Sequence, residues 1–147
     1  EKRDLPFVRR STFGLAGLKT TGSEILLVDT TGELRGLYAA ANIIFVGKSL
    51  TRHGGQNIIE PAACAKPVMV GPNMENFAAI MDDFLTASAI IQVADSHALG
   101  NEIRRLLDDP SACAELGRRA AAVVERNHGA IDRTVAALEP MLIASAG

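Results

Sequence analysis

Between residues 47 and 61 the chain reads Gly-Lys-Ser-Leu-Thr-Arg-His-Gly-Gly-Gln-Asn-Ile-Ile-Glu-Pro. These residue types suit an anionic ligand. Gly54 and Gly55 let the backbone come close to a bound group, and the unpaired N–H groups of a helix's first turn favour negative charge. Glu60 falls in the first turn of the helix expected over residues 58–65, where its carboxylate can accept hydrogen bonds from ribose hydroxyls. Lys48 and Arg52 can meet phosphate or carboxylate charge, and Ser49, His53 and Gln56 are further candidates on the same loop. The combination points to a grip on a nucleotide sugar. A plain turn with Asn57 as helix N-cap is the alternative reading of the same residues.

A second stretch, Asp29-Thr30-Thr31-Gly32-Glu33, opens another helix. Thr30 or Thr31 can cap it, and Glu33 sits in its first turn, favourably placed for the helix dipole. Taken alone this is a structural cap. Its position relative to the strands changes the reading. Apolar runs at residues 24–28 and 43–46 read as covered parallel strands, and each empties into one of the two candidate loops. Ligands of such sheets bind beyond the carboxyl ends of the strands. The expectation is therefore that Thr31, Gly32 and Glu33 share one rim with Gly54, Gly55, Asn57 and Glu60.

The rest of the chain supplies the frame. Strands are expected at residues 5–8, 67–70 and 90–93, with a loop at 12–23. Helices are expected at 76–85, with Phe77, Ile80, Met81 and Phe84 inward, and after Asp95 and Ser96, with Leu99, Ile103, Leu106 and Leu107 on one face. Asp109-Pro110 separates that helix from one over residues 111–126, which Asn127-His128-Gly129 ends before a last helix at 130–142. Alternating strands and helices with short connections predict an α/β fold, a mostly parallel Rossmann-like sheet with helices on both faces.

Composition narrows the classes. At 147 residues, 48% hydrophobic and 22% charged, the chain is a single globular domain with a real core. A net charge of −2 with 4% aromatics gives no footprint for nucleic acid or an anionic membrane. Cys64 and Cys113 lack metal-ligand spacing and read as small half-buried residues of a reducing compartment. Asp82-Asp83 and Asp108-Asp109, without paired His or Cys, make a poor metal site. Gly47-Lys48-Ser49 resembles the tail of a phosphate-binding P-loop, but the first glycine of that motif would fall on Asn42, and G-x-G-x-x-G is absent. The first residue is Glu1, and the abrupt opening reads as a piece of a longer protein.

An ordered set of segments resembles the C-terminal half of the 3-deoxy-D-manno-octulosonic acid (Kdo) transferases. The set comprises Arg9-Arg10-Ser11, residues 26–34, residues 37–41, residues 45–50, Gly54-Gly55-Gln56-Asn57-Ile58-Ile59-Glu60-Pro61, Pro67-Val68, Gly71-Pro72, Asn76-Phe77, Asp108-Asp109-Pro110 and residues 127–130. It covers nearly the whole chain. The resemblance implies a GT-B fold with the active site between two Rossmann-like domains, and a metal-independent transfer of Kdo from CMP-Kdo to the lipid A precursor. That reaction would take place at the cytoplasmic face of the inner membrane of Gram-negative bacteria.

By the same resemblance, Gly32 and Glu33 lie near the donor's phosphate and sugar, Asn57 and Glu60 hold its phosphate or ribose, and Gly54 and Gly55 permit close approach. Two departures stand out: Lys48 where the family shows glycine, and Gln56 where it shows histidine, a role His53 could take. The family's Pro-Arg-His-Pro motif would precede Glu1, and the general base and the acceptor site belong to an N-terminal domain. The chain alone is thus expected to fold and to bind CMP weakly, without turnover and without a membrane anchor of its own. A GT-B domain for a UDP- or GDP-sugar and a non-enzymatic Rossmann-like module are the alternatives.

Overall fold

The computed structural model describes residues 5–12 and 25–144, leaving aside the side chains of residues 130–144. Most of the loop expected at 12–23 lies outside the described residues. The chain divides into two compact units, Glu1–Leu34 and Arg35–Gly147.

In the first unit β1 (Phe7–Arg9) pairs in parallel with β2 (Ile25–Leu27), Phe7 opposite Ile25 and Arg9 opposite Leu27. Arg10–Thr12 forms a single 3-10 turn after β1. The helix expected after β2 is α1 (Leu34–Ala40). It begins one residue later than the sequence suggests, so Glu33 precedes the helix rather than lying in its first turn.

The second unit is built on a three-stranded parallel sheet, β3 (Ile44–Val46), β4 (Val68–Val70) and β5 (Ile91–Gln92), with β4 in the middle. Every residue of β4 is buried. Successive strand residues face opposite ways, so Val68 and Val70 join a core with Ile58, Met81, Phe84 and Val123, while Met69 packs on the other face with Leu106 and Leu116. Both faces of the sheet are therefore covered, which is why β3 and β4 read as unbroken apolar runs rather than alternating ones. Fully buried Phe84 alone contributes about 1.5–3 kcal/mol of transfer free energy.

The covering helices are α3 (Ile59–Ala63), α4 (Ala78–Thr86), α5 (Ser96–Asp108) and α6 (Pro110–Ala144). The expected starts of the last two are present. Asp95 caps α5 by accepting from the Ala98 N–H at 2.8 Å. Asp109 caps α6 through the N–H groups of Ser111 and Ala112 at 3.1 and 3.0 Å, and these contacts hold its carboxyl below the usual range. Pro110 occupies the first helical position, where its missing N–H costs nothing. Leu106 is buried, but Leu107 is 58% exposed and turns away from the stripe assigned to it.

Residues 111–142 do not form two helices. α6 runs without interruption through Asn127-His128-Gly129. Asn127 donates back to the Val123 carbonyl at 3.0 Å and reaches Asp83 on α4 at 3.3 Å, and Gly129 is helical rather than left-handed. Packing of α6 against its neighbours thus overrides a local C-cap signal. No helix among the described residues is long and apolar enough to cross a membrane.

Candidate functional site

In the first unit, the turn after β2 is a network of ion pairs. Asp29 accepts from the Ser11 N–H at 2.9 Å and the Ser11 hydroxyl at 2.7 Å, and pairs with Arg9 at 3.3 Å. These Ser11 contacts hold its carboxyl below the ordinary carboxylate range. Glu33 has both oxygens engaged, one by the Thr30 hydroxyl and the other by Arg10 at 2.6 Å, and its carboxyl is likewise held low, by Thr30 first and Arg10 second. Thr30 therefore binds the carboxylate three residues on instead of capping the helix. Gly32 takes φ +85°, and a Cβ there would meet nothing within 4 Å. It is glycine for its backbone angle. Thr31 is exposed.

The loop of the second unit leaves β3 at Val46 and at once forms a helical turn that the sequence gives no sign of, α2 (Lys48–Thr51). Ser49, a candidate ligand contact by its type, is instead fully buried. Its hydroxyl donates to the Val46 carbonyl and accepts from the Gly71 N–H at 2.7 Å, while its own carbonyl accepts from the Asn73 N–H and side-chain amide, each at 3.0 Å. Ser49 thereby ties the end of β3 to the exit of β4 and has no face for a ligand. A Cβ at Gly71 would stand 2.5 Å from the Ser49 carbonyl oxygen, so this junction is backbone against backbone.

After α2 the chain extends at Arg52 and then turns through Gly54 (φ +91°) and Gly55 (φ +64°). Both are buried, and each is pressed against the segment after β4. A Cβ on Gly55 would lie 2.6 Å from the Met74 sulfur and 3.2 Å from its Cα, and one on Gly54 would lie 2.8 Å from the Asn76 amide nitrogen and 3.7 Å from Lys48 Nζ. Gln56 and Asn57 follow at the surface. Asn57 is not the N-cap. That position is Ile58, buried, and Asn57 Oδ1 accepts from the Ile59 N–H at 2.9 Å to shape the entry to α3. Glu60 stands in the first turn of α3, exposed.

Lys48 and Arg52 are exposed and have no ion-pair partner among the described residues. With Gln56, Asn57 and Glu60 they are among the exposed polar side chains of the loop and of the start of α3. Among the described residues no three His, Cys, Asp or Glu side chains gather as a metal ion would require. Two concavities of the second unit, of about 250 and about 420 Å³, are lined instead by residues of α3, α4 and α6 and include none of the predicted site residues.

Sequence reasoning missed two members of this neighbourhood. Glu75 accepts from the Gly54 N–H at 2.8 Å and contacts His53 Nδ1 at 2.8 Å. It lies 21 and 22 residues from those partners, so no local pattern announces it. Tyr38 has its hydroxyl pKa raised by partial burial first and the negative charge of Glu60 second.

Residues 23–123 match the family described as "Glycosyl transferases group 1". The chain is 34% identical over 143 residues to a 3-deoxy-D-manno-octulosonic acid transferase of Haemophilus influenzae, a match covering 97% of this chain and 33% of that one. It is 37% identical over 140 residues to the enzyme of the same name from Bordetella pertussis, covering 94% of this chain and 32% of the relative. The chain spans about a third of the length of these curated relatives. Among solved structures, the C-terminal CMP-Kdo binding domain of WaaA from Acinetobacter baumannii superimposes with a TM-score of 0.73 at 32% identity, covering 82% of this chain and 61% of that one.

Proposed function

The chain belongs to the group 1 glycosyl transferases, and from that membership we propose that it is the donor-binding domain of a Kdo transferase, the C-terminal half of a GT-B enzyme, holding CMP-Kdo. The observation that carries the reading is the likeness in fold and sequence to a domain described as CMP-Kdo binding. In this proposal the Lys48 ammonium meets the donor's phosphate, with Gln56 and His53 as further contacts. Asn57 and Glu60 hold the phosphate or ribose, with Glu60 accepting from hydroxyls. Gly54 and Gly55 let the loop backbone approach, Ser49 acting behind them as a structural tie. Thr31, Gly32 and Glu33 are proposed as donor residues of the first unit. Both Glu33 oxygens are engaged by Thr30 and Arg10, so a donor hydroxyl would have to share or displace one of these partners.

The general base and the site for the lipid A precursor would come from an N-terminal domain of a longer protein. That enzyme would work at the cytoplasmic side of the inner membrane of a Gram-negative bacterium, without a metal.

Calorimetric titration of the 147-residue chain with CMP, UDP and GDP tests the reading. CMP is expected to bind at least about tenfold more tightly than UDP or GDP, a difference of about 1.4 kcal/mol, and unchanged by a chelator. A preference for UDP or GDP would replace the donor with another nucleotide sugar. Absence of binding by all three, with no effect of Glu60→Ala, would leave a non-enzymatic module.

A further inference from the structure

Four consecutive residues after β4 form the bed on which the glycine loop lies. Asn73 holds the Ser49 carbonyl, Met74 backs Gly55, Glu75 takes the Gly54 N–H, and Asn76 faces the Gly54 α-carbon. Of these contacts the one from Glu75 is bidentate. Its two oxygens engage consecutive loop residues, the His53 ring at 2.8 Å and the Gly54 N–H at 2.8 Å, and a charge-assisted hydrogen bond of this kind is about twice as strong as a neutral one.

We propose that Glu75 is the positioning residue of the donor loop: its carboxylate clamps His53 and Gly54 and so fixes where Lys48, Gln56 and Asn57 present their polar groups to the donor's phosphate. The inference rests on the nucleotide-sugar reading given above and adds to it the group that sets the loop's shape.

Three observations converge. Gly54 and Gly55 both hold left-handed angles, a conformation that a flexible loop samples among many and that a fixed acceptor on the Gly54 N–H selects. A Cβ on Gly54 would lie 3.7 Å from Lys48 Nζ, so a shift of Gly54 changes the surroundings of the ammonium. Finally, both Glu75 oxygens are occupied by His53 and a backbone donor, and Lys48 and Arg52 remain the basic side chains of the loop without an ion-pair partner among the described residues. The same contacts pull the Glu75 carboxyl down to about 2, so it remains an acceptor throughout the neutral range.

The test uses CMP as probe on the 147-residue chain, with affinity and melting temperature measured for wild type, Glu75→Ala and Glu75→Gln. Glu75→Ala is expected to weaken CMP binding about tenfold while moving the melting temperature by no more than a few degrees. Glu75→Gln keeps an oxygen for the Gly54 N–H and is expected to recover most of the affinity. In the ligand-free chain, Gly54 N–H exchange with solvent is expected to be slow in wild type and fast in Glu75→Ala.

CMP bound equally well or more tightly by Glu75→Ala, or Gly54 exchange unaffected by the substitution, overturns the proposal and leaves the nucleotide-sugar reading intact. Equal loss of affinity in both variants, in step with melting temperature, also overturns it, since that is the mark of a structural residue. Failure of the wild type to bind CMP is a distinct result: it removes the CMP-Kdo reading, and this inference with it.

Discussion

In the turn after β2, Glu33 has both carboxylate oxygens engaged by Thr30 and Arg10, and its glycine, Gly32, borders open space. In the loop after β3 the arrangement is reversed. Glu60 makes no hydrogen bond or ion pair to the described residues, while its glycines, Gly54 and Gly55, are wedged against Met74 and Asn76. Both stretches are written alike, as glycine and then glutamate near the start of a short helix. The first has an internally satisfied charge on an unconfined backbone, the second a confined backbone that offers an unsatisfied charge. Rigidity in the backbone and freedom in the side chain are what a ligand contact requires, because a preformed loop loses little entropy on binding.

The comparison is most severely tested at the glycines. Gly55→Ala imposes both a left-handed angle and a collision with Met74, and is expected to destabilise the chain by about 2–4 kcal/mol, whereas Gly32→Ala carries the angle alone, about 1 kcal/mol. Urea unfolding of the two variants measures the gap, and equal losses would erase the distinction. Next comes the tie behind the second loop. Ser49→Ala leaves the Gly71 N–H buried without its acceptor, a loss of about 1–3 kcal/mol by the same measurement.

The carboxylates follow. Glu60→Ala is expected to weaken CMP binding about tenfold with the melting temperature unchanged. Glu33→Ala is expected to lower the melting temperature slightly, because Thr30 and Arg10 lose their partner.

Acid should separate the tied carboxylates from the rest. Glu75, Glu33 and Asp29 all have folded-state values below their unfolded ones. Their contribution is therefore complete above about pH 4.5, where the unfolded groups are ionised. It disappears as pH falls, for Glu75 through about 2. Unfolding curves between neutral pH and pH 2.5 should fall less steeply for Glu75→Gln than for wild type.

The smallest expected effect is spectroscopic. The chain has one tyrosine and no tryptophan, so ultraviolet titration reads Tyr38 alone. Glu60→Gln should lower its ionisation pH, since the charge of Glu60 is one of the causes holding it up.

The sheet of the second unit was legible because burial on both faces writes itself as apolar runs, and the cap at Asp95 because its partner is three residues away; Asp109 was legible only as a break between helices. What escaped the sequence was tertiary. One turn of helix at Lys48–Thr51 is too short to carry a period, and Ser49 is recruited into the interior by Gly71, twenty-two residues on. Asn127-His128-Gly129 has the local form of a helix end, yet Asp83 and the body of α6 hold it helical. Among the candidate site residues, Thr31, Lys48, His53, Gln56, Asn57 and Glu60 are exposed, as their polar types suggest. Glu75 could not be picked out, because nothing nearby in the chain refers to it.

The buried hydroxyl of Ser49 has a mechanical consequence. It joins the Val46 carbonyl to the Gly71 N–H, and the Ser49 carbonyl in turn holds Asn73, so the segments leaving two neighbouring strands are riveted at one residue. A force on Lys48 is transmitted to Gly71 and Asn73 without an intervening joint. Any adjustment made for a bound molecule must then carry both segments together, or be confined to the chain beyond Thr51.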